Sequence, residues 1–101
     1  MENKQYNILN NETNLRFEIK PGEEIAYLTY RFYKKNIAFM HTFVPEKLQG
    51  MGLASALAVH AFAYAKAKQK LVMVYCPFVA KFIKKHPEYL NQIDQTYSGK
   101  S

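Results

Sequence analysis

Val44-Pro45-Glu46-Lys47-Leu48-Gln49-Gly50-Met51-Gly52-Leu53-Ala54-Ser55 joins two halves of the chain that obey different periodicities. Before it an alternating apolar strand runs to Pro45, and after it a long alanine-rich helix is predicted to start at about Gly50. The two glycines between them stand one residue apart. Backbone N–H groups in the first turn of a helix have no intrahelical partner, and the helix dipole places partial positive charge at that end. Glycine removes the Cβ that would hold a ligand away from those groups. A strand, a glycine loop and a helix in this order therefore make a seat for a phosphate or pyrophosphate. Two familiar versions of that seat do not fit. A nucleoside-triphosphate loop needs Gly-x-x-x-x-Gly-Lys-Ser/Thr, and neither glycine is followed by Lys-Ser or Lys-Thr. The dinucleotide fingerprint needs a third glycine, where Ser55 stands, and an acidic residue after the next strand, which ends in Tyr75-Cys76.

Charge supports an anionic ligand. The net value of +6 conceals a segregation: every acidic residue lies at Glu46 or before, or at Glu88 or after. Between Lys47 and Pro87 there are seven lysines and no carboxylate, namely Lys47, Lys66, Lys68, Lys70, Lys81, Lys84 and Lys85. A solvated basic helix end accounts equally well for Lys66, Lys68 and Lys70. A carboxylate-free field around an anion seat is nevertheless what a polyanionic ligand requires. With 101 residues, 49% of them apolar, the chain has the material for one domain with a modest core. No apolar run approaches a membrane span, and Met-Glu-Asn-Lys-Gln-Tyr lacks the apolar stretch of a secretion signal, so a cytoplasmic protein is expected. A single cysteine excludes an intrachain disulfide and a multi-thiolate zinc site, and no three residues have metal-ligand spacing.

Outward from the loop, the first half reads as strands. Gln5 to Asn10 is predicted as a short strand with Tyr6 and Ile8 on one side, and Asn10 to Asn14 as a turn. Leu15, Phe17 and Ile19 alternate with Arg16, Glu18 and Lys20, and Pro21-Gly22 fits the centre of a type II turn. Glu24 to Tyr33 places Ala26, Leu28, Tyr30 and Phe32 on one face. Lys34-Lys35-Asn36 turns the chain into Ile37 to Val44, completing an antiparallel meander in which His41 shares a face with Phe39 and Phe43.

The second half has helical spacing, with Leu53, Leu57, Ala61, Tyr64 and Ala65 on one stripe. Seven alanines from Ala54 to Ala67 make this helix thin enough to lie close to a sheet. Leu71 to Tyr75 is apolar throughout, which suits an inner parallel strand buried on both faces. Pro77 fits a first helical position, Phe78, Val79, Phe82 and Ile83 form the apolar side of that helix, and Pro87 ends it. The fold class is therefore α+β, an antiparallel meander of three to four strands followed by helix, parallel strand and short helix. Residues 1–93 make the domain and 94–101 a polar C-terminal tail.

Gln49, Gly52 and Ala54 spell Gln-x-x-Gly-x-Ala, which resembles the acyl-CoA pyrophosphate loop of the GNAT superfamily of N-acetyltransferases. His41-Thr42-Phe43-Val44-Pro45, Cys76-Pro77-Phe78 and Lys85-His86-Pro87-Glu88-Tyr89 extend the likeness to a short, single-domain branch of that superfamily, over roughly residues 5 to 93. The resemblance implies acetyl-CoA as cosubstrate and an unidentified amine, on a small molecule or a protein, as acceptor. It implies that Phe43 and Val44 meet the pantetheine arm, with Phe78 alongside. It also implies that Gln49, Gly50, Met51, Gly52, Leu53, Ala54 and Ser55 hold the pyrophosphate. The helices that wall the substrate site of larger members, and their C-terminal arm with its frequent tyrosine acid, have no counterpart in this sequence.

Cys76 is the first candidate for chemistry, because it ends an inner strand, precedes a helix N-terminus and lies near Lys81, Lys84 and Lys85. Such a thiol becomes nucleophilic and can take an acetyl group before passing it on, although a lone cysteine is also a common small core residue. His41 is the second, as a base for the amine or as an orienting partner for Cys76. Lys81, Lys84 and Lys85 fall on one side of their helix, where they can meet the phosphates of CoA or simply face water. His60 is expected to be structural or exposed, and Glu46 a surface residue. Acetyl transfer is thus one reading and a CoA-binding module without turnover another. A nucleic-acid-binding domain ranks third, supported by basicity alone.

Overall fold

A computed structural model describes residues 6–94. Five strands form one sheet in the order β1 (Leu9–Asn11), β2 (Arg16–Ile19), β3 (Ala26–Tyr33), β4 (Asn36–Phe43) and β5 (Val72–Val74). The first four pair antiparallel and β5 joins β4 in parallel. Helix α1 (Leu53–Ala67) makes the crossover between them, and α2 (Pro77–Lys85) follows with Pro77 at its start. Short 3-10 turns cover Glu46–Leu48 and Pro87–Gln92. This is the α+β order that the change of periodicity predicts, and no helix of the described residues is long and apolar enough to cross a membrane.

The sheet is covered on one side. Register places Phe17 opposite Leu28, Ile19 opposite Ala26, Tyr30 opposite Phe39, and Ile37 and Phe39 opposite Val72 and Val74. Directly paired residues share a face, so these buried side chains form a single inner surface. Leu53, Leu57, Ala58, Ala61, Phe62 and Ala65 of α1 close over it, with Val79, Phe82 and Ile83 of α2 beside them. Alanine at three of the six buried α1 positions brings the helix backbone near the strands.

Several expected boundaries move. β1 begins at Leu9, because β2 offers partners only for Leu9 to Asn11, and Tyr6 and Ile8 pack against the core without joining the ladder. Gln5 lies outside the described residues. The third strand begins at Ala26 rather than Glu24, and Gly22 lacks the positive φ that a type II turn demands, so Pro21-Gly22 is a bend. α1 begins at Leu53 rather than Gly50, since Gly50 and Gly52 take left-handed φ of 87° and 77°. The parallel strand contracts to Val72–Val74 and is not buried on both sides: Met73 is half-buried and Tyr75 exposed, because no helix covers that face. Phe62, outside the predicted stripe, is fully buried. Its ring meets Phe39, Phe82 and Tyr89, and the Gln92 side chain donates to its carbonyl at 3.0 Å.

Asp94, assigned to the polar tail, is tied to the sheet. Ile93 is buried and bridges to Val72, the Asp94 N–H donates to the Val72 carbonyl at 3.0 Å, and the Asn36 amide donates to the Asp94 carboxylate at 2.5 Å. These contacts close the outer edge of β5. The remainder of the segment assigned to the tail, 95–101, lies outside the described residues.

His60 packs edge-on against Phe17, with ring centroids 5.2 Å apart, and burial lowers its pKa from the ordinary 6.5. The neutral ring is therefore the form that the fold favours. Its contribution is complete above the unfolded value and is lost as pH falls through 6.5 towards the folded value. Thermal unfolding of wild type and His60→Phe should diverge in this sense. The wild-type melting temperature drops more between pH 7.5 and 5 than that of the variant, and equal drops would remove His60 as the cause.

Candidate functional site

The strands bearing the site diverge at one point. Tyr30 pairs with Phe39, but Thr29 pairs with His41, so Met40 is an extra residue on β4. A bulge of this kind exchanges the faces of everything beyond it. His41 and Phe43 consequently point to the outer face with Thr29 and Tyr27, while Thr42 shares the inner face with Leu28. The expected grouping of His41 with Phe39 is thereby corrected: Phe39 is fully buried and His41 is exposed on the opposite side. β4 and β5 also stop pairing there. Val74 is opposite Phe39, and the N–H groups of Tyr75 and Cys76 both donate to the Phe39 carbonyl, at 3.0 and 3.1 Å.

Past that split lies a cleft of about 550 Å3 lined by His41, Thr42, Phe43, Val44, Leu48, Gln49, Gly50, Gly52, Leu53, Ala54, Ser55 and Phe78. Its floor is the tip of α1. The first helical bond runs from the Ala56 N–H to the Gly52 carbonyl at 3.0 Å. The amides of Leu53, Ala54 and Ser55 thus have no backbone partner among the described residues. No acidic residue stands in the first turn to occupy them. A Cβ added at Gly50 or Gly52 would meet nothing within 4 Å, so their positive φ, and not crowding, requires glycine. The space left in front of them is ligand-sized.

Two contacts hold this loop, and sequence reasoning found neither. Tyr6 donates from its hydroxyl to the Met51 carbonyl at 3.1 Å, across 45 residues of chain. Gln49, expected to face the pyrophosphate, donates its side-chain amide to the Val44 carbonyl at 3.2 Å. That carbonyl lies one residue past β4, at the position expected to bond a pantetheine arm. Met51 itself does not line the cleft and is 40% exposed.

Cys76 caps α2 from the inner face and is 2% exposed, behind the cleft wall rather than in it. Its Sγ lies 3.2 Å from the Thr42 hydroxyl, which does line the cleft. Thr42 was quoted in the sequence motif but given no role, because only the bulge turns it inward. Lys81, Lys84 and Lys85 are on the exposed side of α2 and outside the cleft lining. Lys81 stands one turn beyond Phe78, which is in that lining. No group of three or more His, Cys, Asp or Glu side chains among the described residues is arranged to hold a metal ion.

The family model described as GCN5-related N-acetyl-transferase matches residues 16–93. The chain belongs to the GCN5-related N-acetyltransferase family. It is also similar to protein NATD1 of Bos taurus, with 32% identity over 71 residues, which is 67% of this chain and 63% of that protein. The chain therefore matches less than two thirds of that relative's length. GCN5-related N-acetyltransferases generally use acetyl-CoA as cosubstrate. The cleft fits such a ligand in kind: unpaired amides for a diphosphate, and an apolar wall of Phe43, Val44, Leu48 and Phe78 for an alkyl arm.

Gly52 gives the sharpest local test of this geometry. Gly52→Ala keeps the space but forces a Cβ into the left-handed region, at a cost of about 1–2 kcal/mol. Urea denaturation should show that loss, whereas Gly22→Ala, at a position without positive φ, should change stability by less than about 0.5 kcal/mol. Equal effects would mean that the loop does not need the conformation described.

Proposed function

We propose that this domain binds acetyl-CoA in the cleft at the tip of α1 and transfers the acetyl group to an amine by way of Cys76. The observation that carries the reading is the contact between Cys76 and Thr42, which lines the same cleft whose floor presents the Leu53, Ala54 and Ser55 amides. The diphosphate is the anionic handle and the thioester the reactive group of one molecule, and the two halves of the cleft match them in that order. The α1 amides and the basic field of α2 hold the diphosphate. Gln49 releases the Val44 carbonyl to the amide of the pantetheine arm, turning its own side chain to the ligand.

In the first step Sγ of Cys76, losing its proton to water in the cleft, attacks the thioester carbonyl, and the thiolate of CoA leaves. The Thr42 hydroxyl, within hydrogen-bond reach of Sγ, donates to the developing thiolate. In the second step the acceptor amine attacks the acetyl-Cys carbonyl. His41, lining the cleft from the outer face, takes the amine proton as Sγ departs.

One observation favours the binding-only reading. The thiol is 2% exposed and absent from the cleft lining, so transfer to it needs Thr42 or Phe78 to shift. Two measurements separate these readings. CoA at about 100 times its Kd should stabilise the protein by about 2.7 kcal/mol, seen as a rise in melting temperature. Incubation with acetyl-CoA should then add about 42 Da, one acetyl group, labile to hydroxylamine and absent in Cys76→Ala. Stabilisation without an adduct or released CoA overturns the Cys76 route and leaves direct transfer to the amine or a binding module, and an adduct that persists in Cys76→Ala shifts the chemistry to a lysine. No stabilisation by CoA would overturn both readings.

A further inference from the structure

We propose that the uncovered outer face of the sheet seats the acceptor, and that this acceptor is a small aromatic amine carrying one acidic group held by Arg31. The inference rests on the acetyl-transfer reading above. The helices fill the inner face, so an amine can approach His41 only from the outer one. A second cavity, of about 430 Å3, lies there, lined by Arg31, Tyr33, Ala38, Met40, Met73 and Tyr75. It meets the first at the bulge: Met40 lines this cavity, and His41 and Thr42 line the other.

The lining defines the ligand. Ala38, 4% exposed, is the floor between Tyr33 and Tyr75, which are 55% and 46% exposed. Two phenol rings and two thioethers around a flat floor favour an aromatic body, through ring contacts and sulfur–ring contacts. The charge has one sign. Glu18 is the single acidic residue in the five strands, and Arg16 at 2.5 Å and Asn11 at 3.1 Å already bind its carboxylate. Arg16 also lies 4.5 Å over the Tyr27 ring. Arg31 has no ion pair or side-chain hydrogen bond among the described residues, and Lys34 adds a cation 5.5 Å from the Tyr33 ring. A polyamine would find no carboxylate here, whereas a ligand anion finds a forked donor. Arg31 pairs with Ala38, in the row beside that of Thr29 and His41, about 7 Å away along the strand. The long arginine side chain can reach back across most of that row spacing, so the acid group and the amine of one small molecule can meet Arg31 and His41 together.

Methionine methyl resonances test both cavities at once, because Met40 and Met73 line the second and Met51 sits in the glycine loop. In protein labelled with 13C-methyl methionine, L-phenylalanine should shift Met40 and Met73 and leave Met51 in place. Phenethylamine, with the same ring and amine but no carboxylate, should bind about tenfold more weakly, the loss of one charge-assisted contact. Arg31→Ala should abolish that preference, while CoA still shifts Met51 in the same variant and so reports an intact fold. The proposal is overturned if phenylalanine at saturation leaves Met40 and Met73 unmoved. It is equally overturned if spermidine or phenethylamine binds as tightly as phenylalanine, or if Arg31→Ala retains the preference. Should CoA fail to shift Met51 in wild type while phenylalanine behaves as expected, the acetyl-transfer reading fails and the anion-binding groove stands.

Discussion

A single extra residue, Met40, is the constraint on which the site depends. Without it β4 would continue in register with β3, His41 would enter the core and Thr42 would face outward. With it, Thr42 meets Cys76 on the inner side and His41 reaches solvent on the outer one. The same irregularity ends the pairing of β4 with β5, whose last partners are Phe39 and Val74. One carbonyl, that of Phe39, then accepts from both Tyr75 and Cys76, and the cleft opens beyond it. Bulges raise local twist and leave one residue unpaired. Here the unpaired residue is a methionine, whose flexible thioether can fill an irregular gap.

The glycine loop adds a second constraint of a different kind. A helix tip binds an anion well only if nothing of the protein's own occupies it. α1 lacks a capping side chain and an acidic first turn, both of which would stabilise the helix in isolation. That local stability is forgone, and tertiary contacts replace it. Leu53 and Leu57 are anchored in the core, and Tyr6 ties the loop from the opposite end of the chain. Gly50 and Gly52 supply the two left-handed residues without the strain that a side chain would add.

The fold class and the glycine loop were legible in the sequence because both rest on local signals. The switch from alternation to helical spacing gave the element order, and Gly50, Gly52 and Ala54 gave the loop. What escaped depends on contacts between distant residues. Met40 carries no mark of a bulge, since a methionine suits either face of a strand, so the faces of His41 and Thr42 were unreadable. Phe62 was missed because the stripe of α1 was drawn against the sheet alone, while a second surface arrives with α2 and the turn at Pro87–Gln92. Asp94 reads as the start of a polar tail, yet its N–H bonds the Val72 carbonyl on the outer edge of β5. Leu71 to Tyr75 reads as doubly buried, and only the one-sided cover shows why Tyr75 is not.

That one-sided cover links stability to access. A sheet with helices on both faces would bury Tyr33, Phe43, Met73 and Tyr75, and would also bury the only approach to His41. In this chain the outer face is kept in water by side chains with mixed character: phenols, thioethers, arginines and a histidine, with Ala38 sheltered beneath them. Each of these retains a polar or polarizable end, so the face is tolerable unfilled and still favourable to an apolar ligand. The burden of holding the fold then falls on the inner surface, where Phe17, Tyr30, Phe39 and Phe62 supply the large rings and the alanines of α1 bring the helix close. Concentrating the core on one side is what leaves the end of β4 free to expose His41 and Phe43 on the other.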